Sequence, residues 1–250
     1  MDFPSVSLVV PCFNESNRID LMYEGLYEFS QVWKGDYEFV IIDDGSKDGT
    51  YRKLKTHSRY FEFLANNKIN VIRQRNRGKG GALRLGVLCS EKDFVLTLDA
   101  DMATRPTELI SWLHSRGEFV YDEILIASRE LASSKVSDSI VRHIIGKIFN
   151  FVIKQSVGLN ISDTQCGFKL YKAEVGILLY KELETFGWAH DVEILARAKN
   201  YEFEIIEMPI KWTSVAGSKI RIIRDGWKMF WEVIRIRKII ERTFNQDNEE

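Results

Sequence analysis

The chain has 250 residues, 45% hydrophobic and 28% charged, with four prolines and a net charge of -1 at neutral pH. That length suits one large α/β domain or two small ones, and the composition excludes a disordered chain or one drawn to nucleic acid by its overall field. Cys12, Cys89 and Cys166 are odd in number and far apart, which excludes a disulfide framework or a zinc site and suits a reducing cytosol.

The first residues, Met1-Asp-Phe-Pro-Ser, lack a basic stretch followed by an apolar run, so no cleaved signal peptide is expected. Val6 to Val10 predicts a strand, residues 17–33 a helix, and Glu38 to Ile42 a strand ending at Asp43-Asp44-Gly45-Ser46. A helix over 49–65 follows, then a strand at Asn70 to Arg73, a glycine-rich turn into a helix over 80–90, and the strand Phe94 to Leu98. In the second half, Ile124 to Ser128, Gly167 to Tyr171 and Glu204 to Met208 read as strands. Residues 139–158 read as a long apolar helix and 191–200 as another. From Ser218 the pattern is helical and basic until a frayed acidic tail, Asp247 to Glu250. No window offers the roughly 18 uninterrupted apolar residues of a spanning helix, because even Ile144 to Ile153 is broken by Lys147 and Asn150.

Alternating short strands and helices predict βαβ units, a mainly parallel sheet and a ligand beyond the carboxyl ends of its strands. Pro11 to Glu15, Asp43-Asp44 and Asp99-Ala100-Asp101 all fall at or just after such ends. If the strand stays extended, Asp99 and Asp101 share a face and can hold a divalent cation or a polar ligand; two solvated loop acids are the alternative. Asp43-Asp44-Gly45-Ser46 also reads as an ordinary turn, since Asp and Gly dominate turns. Arg75, Arg77 and Lys79 sit among glycines before a helix, where backbone amides favour an anion, although Gly78-Lys79-Gly80-Gly81 lacks the P-loop spacing.

Val9-Val10-Pro11-Cys12-Phe13-Asn14-Glu15, Ile41-Ile42-Asp43-Asp44-Gly45-Ser46-Lys47-Asp48-Gly49-Thr50 and Asp99-Ala100-Asp101 together resemble, in order and spacing, the signatures of the family 2 inverting glycosyltransferases. Asn76 to Ala82, Asp163 to Lys169, and Trp212 with Gly217-Ser218-Lys219 look like the dolichyl-phosphate β-glucosyltransferase branch, beside the dolichyl-phosphate mannosyltransferases. The resemblance implies a glycosyltransferase A-type fold, a Rossmann-like sheet flanked by helices, with C-terminal amphipathic helices. It implies a nucleotide-sugar donor at Pro11, Phe13, Glu15, Asp43, Asp44, Arg77, Lys79 and Asp99, and Mg2+ or Mn2+ at Asp101. Ala103 stands where the mannosyltransferases place a glutamine on the metal. Arg129, Arg142 and Lys219 are implied phosphate and acceptor ligands, with Lys219 closing over the diphosphate. Asp191 occupies the place of the acid that deprotonates an acceptor hydroxyl in many relatives. A lipid monophosphate, with its second pKa near 6, is already largely dianionic and needs little base. His190 reads as structural.

Between Lys211 and Arg242 lie nine basic and three acidic residues, interleaved with Trp227, Phe230, Trp231 and isoleucines. Such a helix suits an anionic bilayer surface, as does Ile140 to Val157; the alternative is a helix packed on the domain with solvated basic edges. No second basic face or stacking module accompanies it, which speaks against RNA. The expectation is therefore a catalytic domain over residues 1–217 and a basic amphipathic segment over 218–250, lying peripherally on the cytosolic face of a membrane. The expected enzyme transfers a hexose, glucose from UDP-glucose, with inversion onto a polyprenyl or dolichyl phosphate, using a divalent metal. Open alternatives are a GDP-mannose-dependent mannosyltransferase, another family 2 glycan transferase, and an inactive nucleotide-sugar-binding or scaffold protein. A membrane-protein partner or a homo-oligomer also remains open.

Overall fold

The computed structural model of the protein describes residues 2–119, 123–137, 153–213 and 222–246, the last segment with side chains from 231 to 243. The strands are β1 (Val6–Cys12), β2 (Tyr37–Asp43), β3 (Ile69–Arg73), β4 (Phe94–Thr97), β5 (Glu123–Ser128), β6 (Lys135–Ser137), β7 (Lys169–Lys172), β8 (Glu204–Pro209) and β9 (Lys211–Thr213). The helices are α1 (Ile19–Val32), α2 (Thr50–Thr56), α3 (Ser58–Ala65), α4 (Lys79–Leu88), α5 (Glu108–Arg116), α6 (153–157), α7 (Ala173–Lys181), α8 (His190–Asn200) and α9 (Ile222–Gln246).

Seven strands form one sheet in the order β3-β2-β1-β4-β7-β5-β8, and β6 pairs with β9 separately. All neighbours in the large sheet are parallel except β7, which runs antiparallel to both β4 and β5. The apolar strands are covered on both faces, so successive residues enter different cores. Leu8, Val10, Phe39 and Ile41 pack with α1 and α5, whereas Val9, Val40 and Ile42 pack with α4, α7 and α8. The chain steps outward from β1 through β2 to β3, then returns to place β4 on the other side of β1. That reversal opens a crevice at the carboxyl rim between β1 and β4.

The mainly parallel sheet agrees with the expectation from the sequence, and several details differ. The helix expected over 49–65 is two helices, because His57 is extended (φ -70°, ψ 142°) and its ring accepts a hydrogen bond from Arg59 N at 3.2 Å. The same ring stacks on Tyr23 at 4.3 Å. Helices α5 and α7 were not anticipated, although Leu109, Trp112 and Leu113 carry the helical spacing of α5. Of the helix expected over 139–158, residues 153–157 are helical and 139–152 lie outside the described residues, as do Asp247 to Glu250.

Helix α9 is a packed helix: Val233 and Ile236 join the core beside α8, while Trp231, Arg235, Lys238 and Arg242 are exposed. Ile236→Ala should therefore lower the unfolding free energy by about 2–4 kcal/mol, whereas Lys238→Ala should stay within about 0.5 kcal/mol of the parent in urea denaturation.

Candidate active site

The rim begins with two loops fastened to each other. Asp44 N donates to Cys12 O at 2.8 Å, Asn14 N to Ser46 Oγ at 2.9 Å, Lys47 N to Asn14 Oδ1 at 2.9 Å, and Glu15 N to Thr50 Oγ1 at 2.8 Å. Asn14 adopts a left-handed conformation, φ 53°, which Asn tolerates better than most residues. Pro11, near the end of β1, is half-buried, Phe13 is exposed, and Glu15 pairs with Arg18 at 3.0 Å.

Asp43 and Asp44 are both buried, with different surroundings. The Asp44 carboxylate accepts from Gln74 Nε2 at 2.7 Å, Arg77 N at 2.9 Å and Gly78 N at 2.8 Å, and so fixes the basic glycine-rich turn. Among the described residues no donor makes a hydrogen bond to the Asp43 carboxylate; Arg73 Nε lies 3.1 Å from Oδ2, close enough for charge pairing but off the hydrogen-bond direction. The side chains of Arg75 and Arg77 are exposed.

Strand β4 ends at Thr97, and residues 99–102 form a turn in which Met102 N donates to Asp99 O at 3.2 Å. The shared face expected of an extended Asp99-Ala100-Asp101 therefore gives way to a bend, with Met102 left-handed at φ 56°. The two acids remain electrostatic neighbours but separate in exposure. Asp99 is 43% exposed and its Oδ1 meets Lys79 Nζ at 2.6 Å. Asp101 accepts from Ala103 N at 3.1 Å; burial first, and the Asp99 charge second, push its carboxyl above the ordinary range. Burial opposes the Lys79 charge, but Asp99 and then Asp191 outweigh it and hold the ammonium above its usual range.

The second half of the chain supplies the opposite wall. A Cβ on Gly80 would lie 2.6 Å from His190 Cβ and 2.8 Å from Thr185 O, a contact that requires glycine, and one on Gly167 would lie 2.6 Å from Asp99 Oδ2 and force that carboxylate to turn away. Trp188, 41% exposed, stands 5.8 Å from Lys79 Nζ. Asp191 is buried; Lys169 Nζ meets its Oδ1 at 2.5 Å, and His190 Nε2 lies 3.4 Å from its Oδ2. Burial opposes the Asp191 charge, but His190, Lys169 and Lys79 outweigh it and bring its carboxyl down to about 2. Burial also pushes the His190 imidazole below its ordinary range. At neutral pH burial keeps its imidazole neutral, leaving Lys169 and Lys79 as the positive partners. Its Nδ1 contacts Gly187 O at 2.9 Å, in keeping with a structural histidine.

Arg129 stands further along the rim, held by Asp163 through Nε–Oδ2 and Nη2–Oδ1 contacts of 2.7 and 2.9 Å, with Trp212 5.6 Å away. The structure thus gathers Asp99, Asp101, Lys79 and Asp191, with Asp43 and Asp44 on the adjoining strand end. Arg142 and Lys219 lie outside the described residues. Lys169, Asp163 and Gly167 had no assigned role in the sequence reading. The available signal was a lone lysine between Phe168 and Leu170 in an otherwise apolar strand. Among the described residues no group of three or more His, Cys, Asp or Glu converges as a metal cage. The donor set is instead a carboxylate pair whose half-buried member, Asp101, is held above the ordinary range by desolvation and by the neighbouring Asp99 charge. That set fits a hard cation that completes its shell with water and phosphate oxygens.

The family described as Glycosyl transferase family 2 matches residues 7–176, and the chain belongs to it. The chain is 34% identical over 253 residues to a dolichyl-phosphate β-glucosyltransferase of Dictyostelium discoideum, covering 93% of this chain and 73% of that one. It is 33% identical to the Homo sapiens enzyme of the same name (86% and 69% covered) and 32% identical to that of Saccharomyces cerevisiae (97% and 77%). In fold it is similar to glucosyl-3-phosphoglycerate synthase from Mycobacterium tuberculosis in complex with UDP, with TM-score 0.65, 15% identity, and 95% and 80% of the chains covered. A mannosyl-3-phosphoglycerate synthase from Rubrobacter xylanophilus aligns with TM-score 0.65 and 16% identity over 99% and 76%. The glycosyltransferase A-type architecture implied by the motifs is borne out.

The electrostatics of Asp191 carry a stability signature. Unfolded aspartates titrate near 3.9, so the Asp191 contribution is fully present above about pH 4 and is lost as pH falls towards about 2. Urea midpoints measured between neutral pH and pH 2 should fall over that window, and Asp191→Asn should flatten the fall.

Proposed function

We propose that the chain transfers glucose from UDP-glucose, with inversion, onto a polyprenyl or dolichyl phosphate. The observation that carries this reading is the bend after β4, where Asp99 is paired with Lys79 beside the half-buried Asp101, in a family 2 chain. The names of the relatives, each about a third identical over most of this chain, support glucose as the sugar and dolichyl phosphate as the acceptor class.

In this reading Asp43 and Asp44, with Pro11, Phe13 and Glu15, line the base and ribose, and Asp99 faces the donor sugar. Asp101 is the metal ligand; Mg2+ or Mn2+ held there would stabilise the charge that gathers on the departing diphosphate. Lys79 and the amino end of α4 add fixed positive potential, with Arg77 beside them. Arg129, Arg142 and Lys219 are assigned to phosphate and acceptor binding. A phosphate oxygen of the acceptor bonds to the sugar C1 as the C1–O bond to UDP breaks, and the attack comes from the opposite face. The acceptor is already largely dianionic at neutral pH, so no proton has to be removed. Asp191, with its carboxyl at about 2, is a weak base and acts as an anchor for positive charge.

Residues 1–217 are assigned to catalysis and 218–250 to a surface segment that meets a membrane peripherally. Among the described residues no helix is long and apolar enough to cross a membrane. Trp231, Arg235, Lys238 and Arg242 recur at helical spacing on the exposed side of α9, and this basic stripe supports contact with anionic lipid.

Radiolabelled UDP-glucose and GDP-mannose, offered with polyprenyl phosphate and Mg2+ or Mn2+, test the reading. Glucose in an acid-labile lipid product, with no mannose transfer, is the expected result. Mannose transfer would overturn the donor assignment, and UDP binding with neither transfer nor metal-dependent hydrolysis would mark a binding protein. Asp101→Asn should lower kcat by about 1,000-fold, and Asp191→Asn by no more than about 100-fold. Equal losses would overturn the anchoring role. Arg235→Glu with Lys238→Glu should weaken sedimentation with phosphatidylserine vesicles by at least about tenfold, at roughly 1 kcal/mol per charge removed, while leaving transfer to a short soluble acceptor unchanged.

A further inference from the structure

Lys169 is a fully buried lysine in the strand next to β4, and the proposed transfer reaction does not use it. A buried ammonium is costly unless it is paired and hydrogen-bonded. Lys169 is both: its Nζ meets Asp191 Oδ1 and Cys166 O, each at 2.5 Å. Both partners belong to the wall of the site. Asp191 opens α8, and Cys166 precedes the glycine whose Cα abuts the Asp99 carboxylate. Thr97 Oγ1, from the last residue of β4, donates to Gly167 O at 2.9 Å and ties the same turn to the strand that carries the diacid bend.

Lys169 therefore reaches from Asp191 to the turn at Cys166 and Gly167 that abuts Asp99. Charges alternate from rim to core, in the order Asp99, Lys79, Asp191, Lys169. Asp191 faces two ammonium groups, from α4 and β7, with neutral His190 and the buried phenols of Tyr171 and Tyr180 around it. Among the described residues Lys169 hydrogen-bonds to the Asp191 carboxylate, whereas His190 Nε2, 3.4 Å from Oδ2, makes no hydrogen bond. The Lys169 bond fixes the carboxylate whose charge acts on Lys79.

We propose that Lys169 is a positioning residue for the transfer reaction, acting through Asp191 to set the acceptor side of the site against the Asp99 turn. The inference rests on the transfer reaction proposed above. Loss of the clamp should misplace the acceptor relative to C1 and leave the nucleotide loops on β1 and β2 intact. A misplacement of about 1 Å is enough to cost roughly 100-fold in rate.

The test uses the full chain and three variants, Lys169→Met, Asp191→Asn and the double variant, assayed for glucose transfer from UDP-glucose to polyprenyl phosphate. Lys169→Met should lower kcat by about 30- to 100-fold with the UDP-glucose KM within about threefold of the parent, a split that general unfolding would not produce. The double variant should be no slower than Asp191→Asn by more than about twofold, because the two residues act as one unit. A folded Lys169→Met with unchanged kcat, or losses that multiply in the double variant, would overturn the proposal. If Lys169→Met alone does not fold, the double variant, which leaves neither charge unpaired, carries the comparison with Asp191→Asn; a double variant that also fails to fold assigns the pair to the fold and overturns the proposal. Absence of transfer by the parent chain would instead sink the functional reading, and the same comparison would then be read by UDP release from UDP-glucose.

Discussion

The carboxyl rim depends on how closely helix α4 lies against its neighbours. A Cβ on Gly86 would fall 2.3 Å from Val9 Cγ1, and one on Gly78 2.4 Å from Phe186 O, so α4 touches β1 on one side and the segment before α8 on the other. Gly80 N also donates to Phe186 O at 3.0 Å, and Asp44 receives the amides of Arg77 and Gly78. The amino end of α4 is thereby held by both halves of the chain. Lys79, its first residue, stands where it faces Asp99 and senses Asp191. Any larger side chain at these glycines would push the lysine out of register with the diacid.

From that constraint follows an economy of charge. The site carries carboxylates and ammonium groups in near balance, and the buried pair Asp191 and Lys169 is stabilised by mutual contact and not by solvent. Asp101 is the exception, being half-buried with a second acid beside it. Such a group is the one most relieved by an incoming cation or by the positive edge of a ligand. Asp163 shows the opposite case: burial disfavours its charge, but the Arg129 guanidinium more than compensates and holds its carboxyl below the ordinary range. Asp163 is the more deeply buried of the two, yet its partner keeps it charged, which is what separates a structural carboxylate from one ready for a ligand.

Glu193, two residues beyond Asp191, belongs to the same logic. Its carboxylate accepts from Glu184 N at 3.0 Å, Thr185 N at 2.7 Å and Arg197 Nε at 3.0 Å, and so holds the segment that presses on α4. Gly187 in that segment also abuts Glu232 of α9, since a Cβ there would lie 2.7 Å from its carboxylate. Arg242 of α9 pairs with Glu184. The helix with the exposed basic stripe therefore rests directly on the wall of the candidate site.

The amino-acid sequence by itself determined the alternation of strands and helices in the first half, the position of Asp99-Ala100-Asp101 at a strand end, and the family. These follow from local periodicity and from motifs whose residues lie close in the chain. Only the tertiary structure decided that the diacid segment bends, that β7 inserts antiparallel between β4 and β5, and that Asp44 serves the turn after Gln74. The pairings of Asp191 with Lys169, Asp163 with Arg129 and Lys79 with Asp99 join residues about 20 or more positions apart. Such partners are chosen by how whole elements pack, since a buried charge persists only where the fold delivers its counterpart, and no local pattern records that delivery.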